Sequence, residues 1–264
     1  MHKQYLPVYI SLILVTFVGL YLPFAYGRAM RTSAVSPIAH ALNVGGRIPS
    51  VSNVAIHRTS PYTVTTIDYP YFTGELSVIN APIENMMGEL IAQHEKNSKE
   101  NWNARIATES KKGEFAQFPS DSEKFPLHAT WSITQFDGDR MSLLIRYDEF
   151  SGGAHGSEHV VTYNYDMKQH RLLTLSDLYG GDPEYLNKVS SSAIDELIAD
   201  RKRMTMQQDI SDYELKWIHE GAAPKLENFR SFTTYEHQIT FYFDQYQVGP
   251  YAIGMPVVTL YLPQ

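Results

Sequence analysis

This chain of 264 residues has no cysteine. That absence excludes disulfides, thiolate zinc sites, iron–sulfur clusters and a cysteine nucleophile. It also excludes the lipid anchor that bacterial lipoproteins carry on a cysteine. Charge is scarce as well, at 19% of residues with a formal balance of −7. A nucleic-acid binder needs a basic stripe to displace counterions, so no nucleic-acid partner is expected. The one dense basic run, Arg201-Lys202-Arg203, falls at the end of an expected helix, where it complements the helix dipole. Internal repeats and low-complexity tracts are missing. So are a Gly-x-Ser-x-Gly elbow and a phosphate-cradling loop, and no cofactor is expected.

Apolar and aromatic residues are plentiful: 43% of the chain is hydrophobic and tyrosines number 18. The length suits one domain, or one domain plus a small lobe, and the tyrosines favour strands over a helical bundle. From Tyr5 to Tyr26 there are 22 residues without a charge, preceded by Lys3 and followed by Arg28 and Arg31. About 20 apolar residues in a helix span a bilayer core, and tyrosines belong at its interfaces. The run reads either as a membrane-spanning signal anchor or as a signal peptide cut after Gly27. On either reading the chain beyond it is exported.

Residues 28–56 read as a linker, and the folded part is expected to begin near His57. A β-branched and aromatic strand from Tyr62 leads to a helix opening at Asn80-Ala-Pro82, with Ile83, Met86, Met87, Leu90 and Ile91 on one face to about Asn101. Residues 109–126 read as a loop. Strands at 129–136, 141–150 and 158–165 are joined by Asp137-Gly-Asp139 and by Ser151-Gly152-Gly153-Ala154; a fourth covers 171–175. A second helix starts at Asp182-Pro183-Glu184 with Asp182 as N-cap, a third spans 211–219, and strands return at 238–244 and 257–262 around a Gly249-Pro250 turn. The expected fold class is α+β, a mainly antiparallel sheet with helices packed on one face.

The densest chemical cluster is Tyr147-Asp-Glu-Phe-Ser-Gly-Gly-Ala-His-Gly-Ser-Glu-His159. Two histidines four apart suit zinc on a helix. Along a strand they lie about 13 Å apart, so no shared metal is expected, and His155 reads as a hydrogen-bonded residue beside the Gly152-Gly153 turn. Asp148 and Glu149 point to opposite faces of a strand and cannot flank one glycosidic bond together. A second cluster runs from Phe241 to Gly254, with Tyr246 and Tyr251 beside the Gly249-Pro250 turn. These tyrosines suit either a recognition surface or a cap on the core.

Gly152-Gly-Ala-His-Gly156 after an aromatic strand, with the closing Phe241-Tyr-Phe-Asp-Gln-Tyr-Gln-Val-Gly-Pro-Tyr-Ala-Ile-Gly254, resembles the DUF3298 family. The upstream part, with Tyr69-Pro70 and Ile79-Asn80 before a helix, is similar to DUF4163. Residues 57–126 are then the DUF4163-like part and 127–264 the DUF3298-like part. The resemblance implies extracytoplasmic work at the cell envelope. One relative is the outer domain of a lysozyme-sensing anti-sigma factor; another precedes the catalytic domain of a peptidoglycan deacetylase. Four residues precede the apolar run, nothing follows the family segment, and the paired aspartates of the deacetylase are missing. Neither signalling nor deacetylation is therefore expected. What remains is a membrane-tethered or secreted binding module for peptidoglycan or a lysozyme-like protein, with Tyr147, His155, Tyr246 and Tyr251 as contact residues. The alternative is an envelope polysaccharide hydrolase with unassigned carboxylates.

Overall fold

The computed structural model describes residues 50–109, 116–206 and 209–263. The apolar run between Tyr5 and Tyr26, and the anchor or signal helix expected there, lie outside the described residues. Among the described residues no helix is long and apolar enough to cross a membrane.

A six-stranded sheet is built in chain order from β1 (Val51–Thr59), β2 (Thr63–Phe72), β3 (Phe125–Phe136), β4 (Arg140–Glu149), β5 (Ser157–Asp166) and β6 (Arg171–Leu172). The first described strand thus starts at Val51, ahead of His57, so residues 51–56, expected as linker, lie in a strand. The segment Val51–Thr59 shows little alternation, and its pairing with β2 defines it as a strand. All neighbours are antiparallel except β2 and β3, which run parallel. Parallel neighbours need a long crossover, and α1 (Asn80–Glu109) supplies it.

Helix α1 runs eight residues past Asn101 because its buried stripe turns polar. Ile83 and Met87 are followed by His94, Ser98 and Trp102 at the same spacing, and an apolar count stops before them. The helix start is tied to the sheet by Asn80, whose side chain accepts from the Phe72 N–H at 2.9 Å and donates to the Phe72 carbonyl at 2.8 Å. With Ile67, Leu127, Trp131, Leu143, Ile145 and Tyr165, the helix closes a first core.

A second core joins α2 (Tyr185–Thr205) and α3 (Asp212–Gly221) to a three-stranded sheet of β7 (Phe232–Tyr235), β8 (Gln238–Tyr242) and β9 (Val257–Tyr261). Phe232, Ile239, Phe241 and Val258 meet Val189, Ala193, Leu197 and Ile218 there. Helix α2 begins at Tyr185, three residues after Asp182. Asp182 caps a preceding turn instead, accepting the Glu184 N–H at 2.9 Å. Ser211 is the N-cap of α3, accepting from the Glu214 N–H.

The helices do not share one face of one sheet, which corrects the expected arrangement: α1 covers one face of the large sheet, while α2 and α3 cover the small one. The sheets meet through a polar seam. The outward N–H groups of Phe232 and Thr234 on edge strand β7 reach Thr162 Oγ1 at 3.1 Å and Ser142 Oγ at 3.0 Å. Asn164 donates to the Phe232 carbonyl at 2.8 Å and accepts from Ser142 Oγ at 2.6 Å. A buried edge strand needs such partners, which explains the burial of Ser142 and Asn164. The division expected between residues 126 and 127 falls inside the first core, because β2 and β3 pair; the seam between cores comes after β6.

Candidate functional site

Strand β5 has a short partner on its outer side, since β6 pairs only with Tyr165 and Asp166. Its other end, near Ser157, is approached by the loop that follows β8. Gln245 Oε1 accepts the Glu158 N–H at 3.2 Å, so this loop satisfies part of the exposed edge. The loop turns sharply, with the Gln247 N–H donating to the Asp244 carbonyl at 3.0 Å and Tyr246 at φ 67°. A left-handed conformation is an outlier for a bulky residue and persists only where surroundings hold it. Here Trp217 Nε1 of α3 donates to the Tyr246 carbonyl at 2.7 Å. Gln247 Nε2 donates to the carbonyls of Gly221 and Asn228 at 2.8 and 3.0 Å.

The loop between β4 and β5 comes from the other side. Gly152 and Gly153 have φ of 117° and 98°, as the turn reading requires, and Asn101 Nδ2 donates to the Ser151 carbonyl at 2.8 Å. The two loops meet at His155. Its Nε2 lies 3.0 Å from the Tyr246 hydroxyl, and its ring stacks on Tyr251 with centroids 3.7 Å apart and planes at 22°. Tyr246 and Tyr251 are 5.9 Å apart. His155 and Tyr246 are exposed and Tyr251 is half-buried. Gly249 is buried behind them, where a Cβ would meet Ile253 at 2.5 Å. The Pro250 carbonyl accepts the Ile253 N–H at 3.0 Å, closing the turn that presents Tyr251.

Tyr147, the fourth expected contact residue, takes a different place. It stacks on His159 at 4.8 Å and 22°, and burial, then Glu149 and Asp244, push its phenol up. Glu149 in turn meets His94, which sequence reasoning missed. His94 is buried, with Nδ1 3.0 Å from Glu149 Oε2 and Nε2 3.3 Å from the Phe125 carbonyl. The hydrogen bond from His94 holds the Glu149 carboxyl below the usual carboxylate range, against the opposing effect of burial. Such a carboxylate is ionised at neutral pH and is not poised as a proton donor. His94 sits seven residues after Met87 on the buried stripe, which was the available signal. His155 and His159 face different partners, and among the described residues no cluster of three histidine or acidic side chains could hold a metal ion. Beyond Gly152 and Gly153 a groove of about 610 Å³ is lined by Asn101, Phe125, Pro126 and Phe150, among others.

Residues 176–262 match the family model DUF3298, described as a protein of unknown function. That stretch is similar to the DUF3298 family. Residues 56–158 match a second model, described as deacetylase PdaC. The DUF3298 stretch coincides with the second core and contains Tyr246 and Tyr251; the PdaC stretch ends within β5 and contains His155. The chain is 34% identical over 128 residues to peptidoglycan-N-acetylmuramic acid deacetylase PdaC of Bacillus subtilis (strain 168), covering 48% of this chain and 26% of that protein. It therefore spans about a quarter of the length of that curated relative. The crystal structure of a DUF3298 family member from Bacteroides fragilis NCTC 9343 superposes with a TM-score of 0.56 at 16% identity, covering 82% of this chain and 91% of that one. That likeness shows a shared fold.

Proposed function

We propose that this chain is an extracytoplasmic cell-envelope module that binds a wall glycan through His155, Tyr246 and Tyr251, displayed outside a membrane by the apolar run between Tyr5 and Tyr26. The observation that carries the reading is the water-facing stack of His155 on Tyr251, with the Tyr246 hydroxyl bonded to the same imidazole. Ring faces with hydrated polar edges suit sugars, which offer C–H faces for stacking and hydroxyls for hydrogen bonds. The likeness of part of the chain to a protein named as a peptidoglycan deacetylase supports wall glycan as the ligand class. Binding is the reading preferred over hydrolysis because His155, Tyr246 and Tyr251 offer ring faces and polar edges, while Glu149 is engaged by His94.

The test is cosedimentation of the detergent-solubilised full chain with purified insoluble peptidoglycan, with immobilised lysozyme as a second arm. Saturable sedimentation with peptidoglycan and none with lysozyme is expected. Capture by lysozyme alone, weakening as salt rises because of the −7 charge, would replace the glycan by a basic protein partner. Protease added to intact cells should digest the domain, and full protection would overturn the extracytoplasmic placement.

A further inference from the structure

The aromatic surface continues past Tyr246 onto α3. Tyr213 and Trp217, four residues apart and so on one side of the helix, meet edge to face with centroids 5.6 Å apart at 71°. Trp217 touches the first cluster directly through its bond to the Tyr246 carbonyl. Tyr251, His155, Tyr246, Trp217 and Tyr213 therefore succeed one another across the surface, joined at each step by a ring contact or a hydrogen bond. Tyr213 is 70% exposed, so core packing does not account for it. A helix-surface pair at this spacing stabilises only weakly.

The charges beside this track narrow the ligand. Arg201 is bound to Glu214, Lys216 lies 3.7 Å from Glu220, and Arg230 is bound to Asp244. Each of these cations already faces a carboxylate, and the chain as a whole is acidic. A polyanion held by backbone charge would need cations on offer; uncharged pyranose faces need only the rings.

We propose that Tyr213 and Trp217 form a second subsite continuous with the first, and that the ligand is a linear glycan strand several sugars long lying across both. This rests on the wall-glycan reading above and adds that a strand interior, rather than a single sugar or a chain end, is recognised. A short fragment fills the His155–Tyr251 end, and only a longer one reaches α3.

The experiment is calorimetric titration of the full chain with peptidoglycan-derived disaccharide, tetrasaccharide and hexasaccharide, repeated for Tyr213→Ala, Trp217→Phe and Tyr251→Ala, with melting temperatures on the same samples. Affinity should rise by about tenfold from disaccharide to hexasaccharide, a typical gain for one or two added stacking contacts. Tyr213→Ala should remove most of that rise and leave disaccharide binding and melting unchanged. Trp217→Phe keeps a ring but frees the Tyr246 carbonyl, so it should weaken both lengths. Tyr251→Ala should also weaken both. A hexasaccharide that binds no tighter than the disaccharide, or a Tyr213→Ala variant with an unaltered length dependence, overturns the second subsite alone. Absence of binding for every fragment overturns the wall-glycan reading, and this inference with it.

Discussion

The imidazole of His155 bonds the phenol of Tyr246 across 91 positions of chain. Neither residue belongs to regular structure. Each sits at the tip of a loop whose backbone is held in place from behind: Asn101 of α1 holds one loop at Ser151, and Trp217 of α3 holds the other at Tyr246. The contact therefore joins the part of the chain matching the deacetylase model to the part matching DUF3298, and it brings two helices' supports to bear on one exposed patch. A scaffold that fixes loops in this way is how recognition surfaces are usually built.

The paired glycines should not be equivalent. Both have positive φ, but a Cβ on Gly152 would also lie 3.0 Å from the Asn101 Cβ, while one on Gly153 would meet open space. Each Gly→Val change is expected to cost about 1 kcal/mol or more from backbone strain, with Gly152→Val the costlier. Denaturation midpoints of the two variants check the order.

Gly221 closes α3 against the Tyr246 loop so tightly that a Cβ there would fall 1.9 Å from the Gln247 carbonyl oxygen. Backbone must move to admit it. Gly221→Ala should destabilise the fold by about 1–3 kcal/mol, the usual range for overpacking. Calorimetric or denaturant melting reads this directly, and an unchanged midpoint would show that the loop yields freely.

The polar seam between the sheets predicts a cost that composition would not suggest. Asn164→Ala leaves the buried Phe232 carbonyl and Ser142 hydroxyl short of a partner. A loss of about 1–3 kcal/mol is expected. Urea unfolding of wild type and variant measures it.

Glu149 sets an acid dependence. Its folded-state carboxyl is held low, mainly by the His94 hydrogen bond, so the unfolded chain binds its proton more readily. The resulting stability is present above the ordinary glutamate value of about 4.3 and is lost as pH falls through the lower folded value. Glu149→Gln should be less stable than wild type at pH 7, and the gap should narrow below about pH 4. Urea midpoints across that range test the sign; a gap that widens on acidification contradicts it.

Much of the fold was legible in the sequence where side chains alternate against one core. Strands β3 to β5, the Asp137-Gly138 hairpin and the N-terminal end of α1 declare themselves by period and turn chemistry. Strand β7 did not, because its Thr233 and Thr234 are buried by neighbours remote in sequence. The placement of the second sheet behind the first was equally hidden, since it depends on a polar seam of Ser142, Thr162 and Asn164 rather than on an apolar stripe. At the candidate site, His155, Tyr246 and Tyr251 could be named from turns and aromatic content. That they touch could not, and Tyr147 belongs instead with His159. Trp217 and His94 escaped notice because one was read as a helix residue and the other lay beyond the last apolar position of α1.

The central claim is that the surface cluster of His155, Tyr246 and Tyr251 binds wall glycan rather than holding the fold together. The most direct measurement is peptidoglycan cosedimentation by the full chain carrying Tyr246→Ala and Tyr251→Ala together, with the melting temperature taken on the same preparation. Binding should fall at least about tenfold, equivalent to roughly 1.4 kcal/mol, while melting stays within a few degrees of wild type. Undiminished sedimentation by a folded double variant would contradict the account.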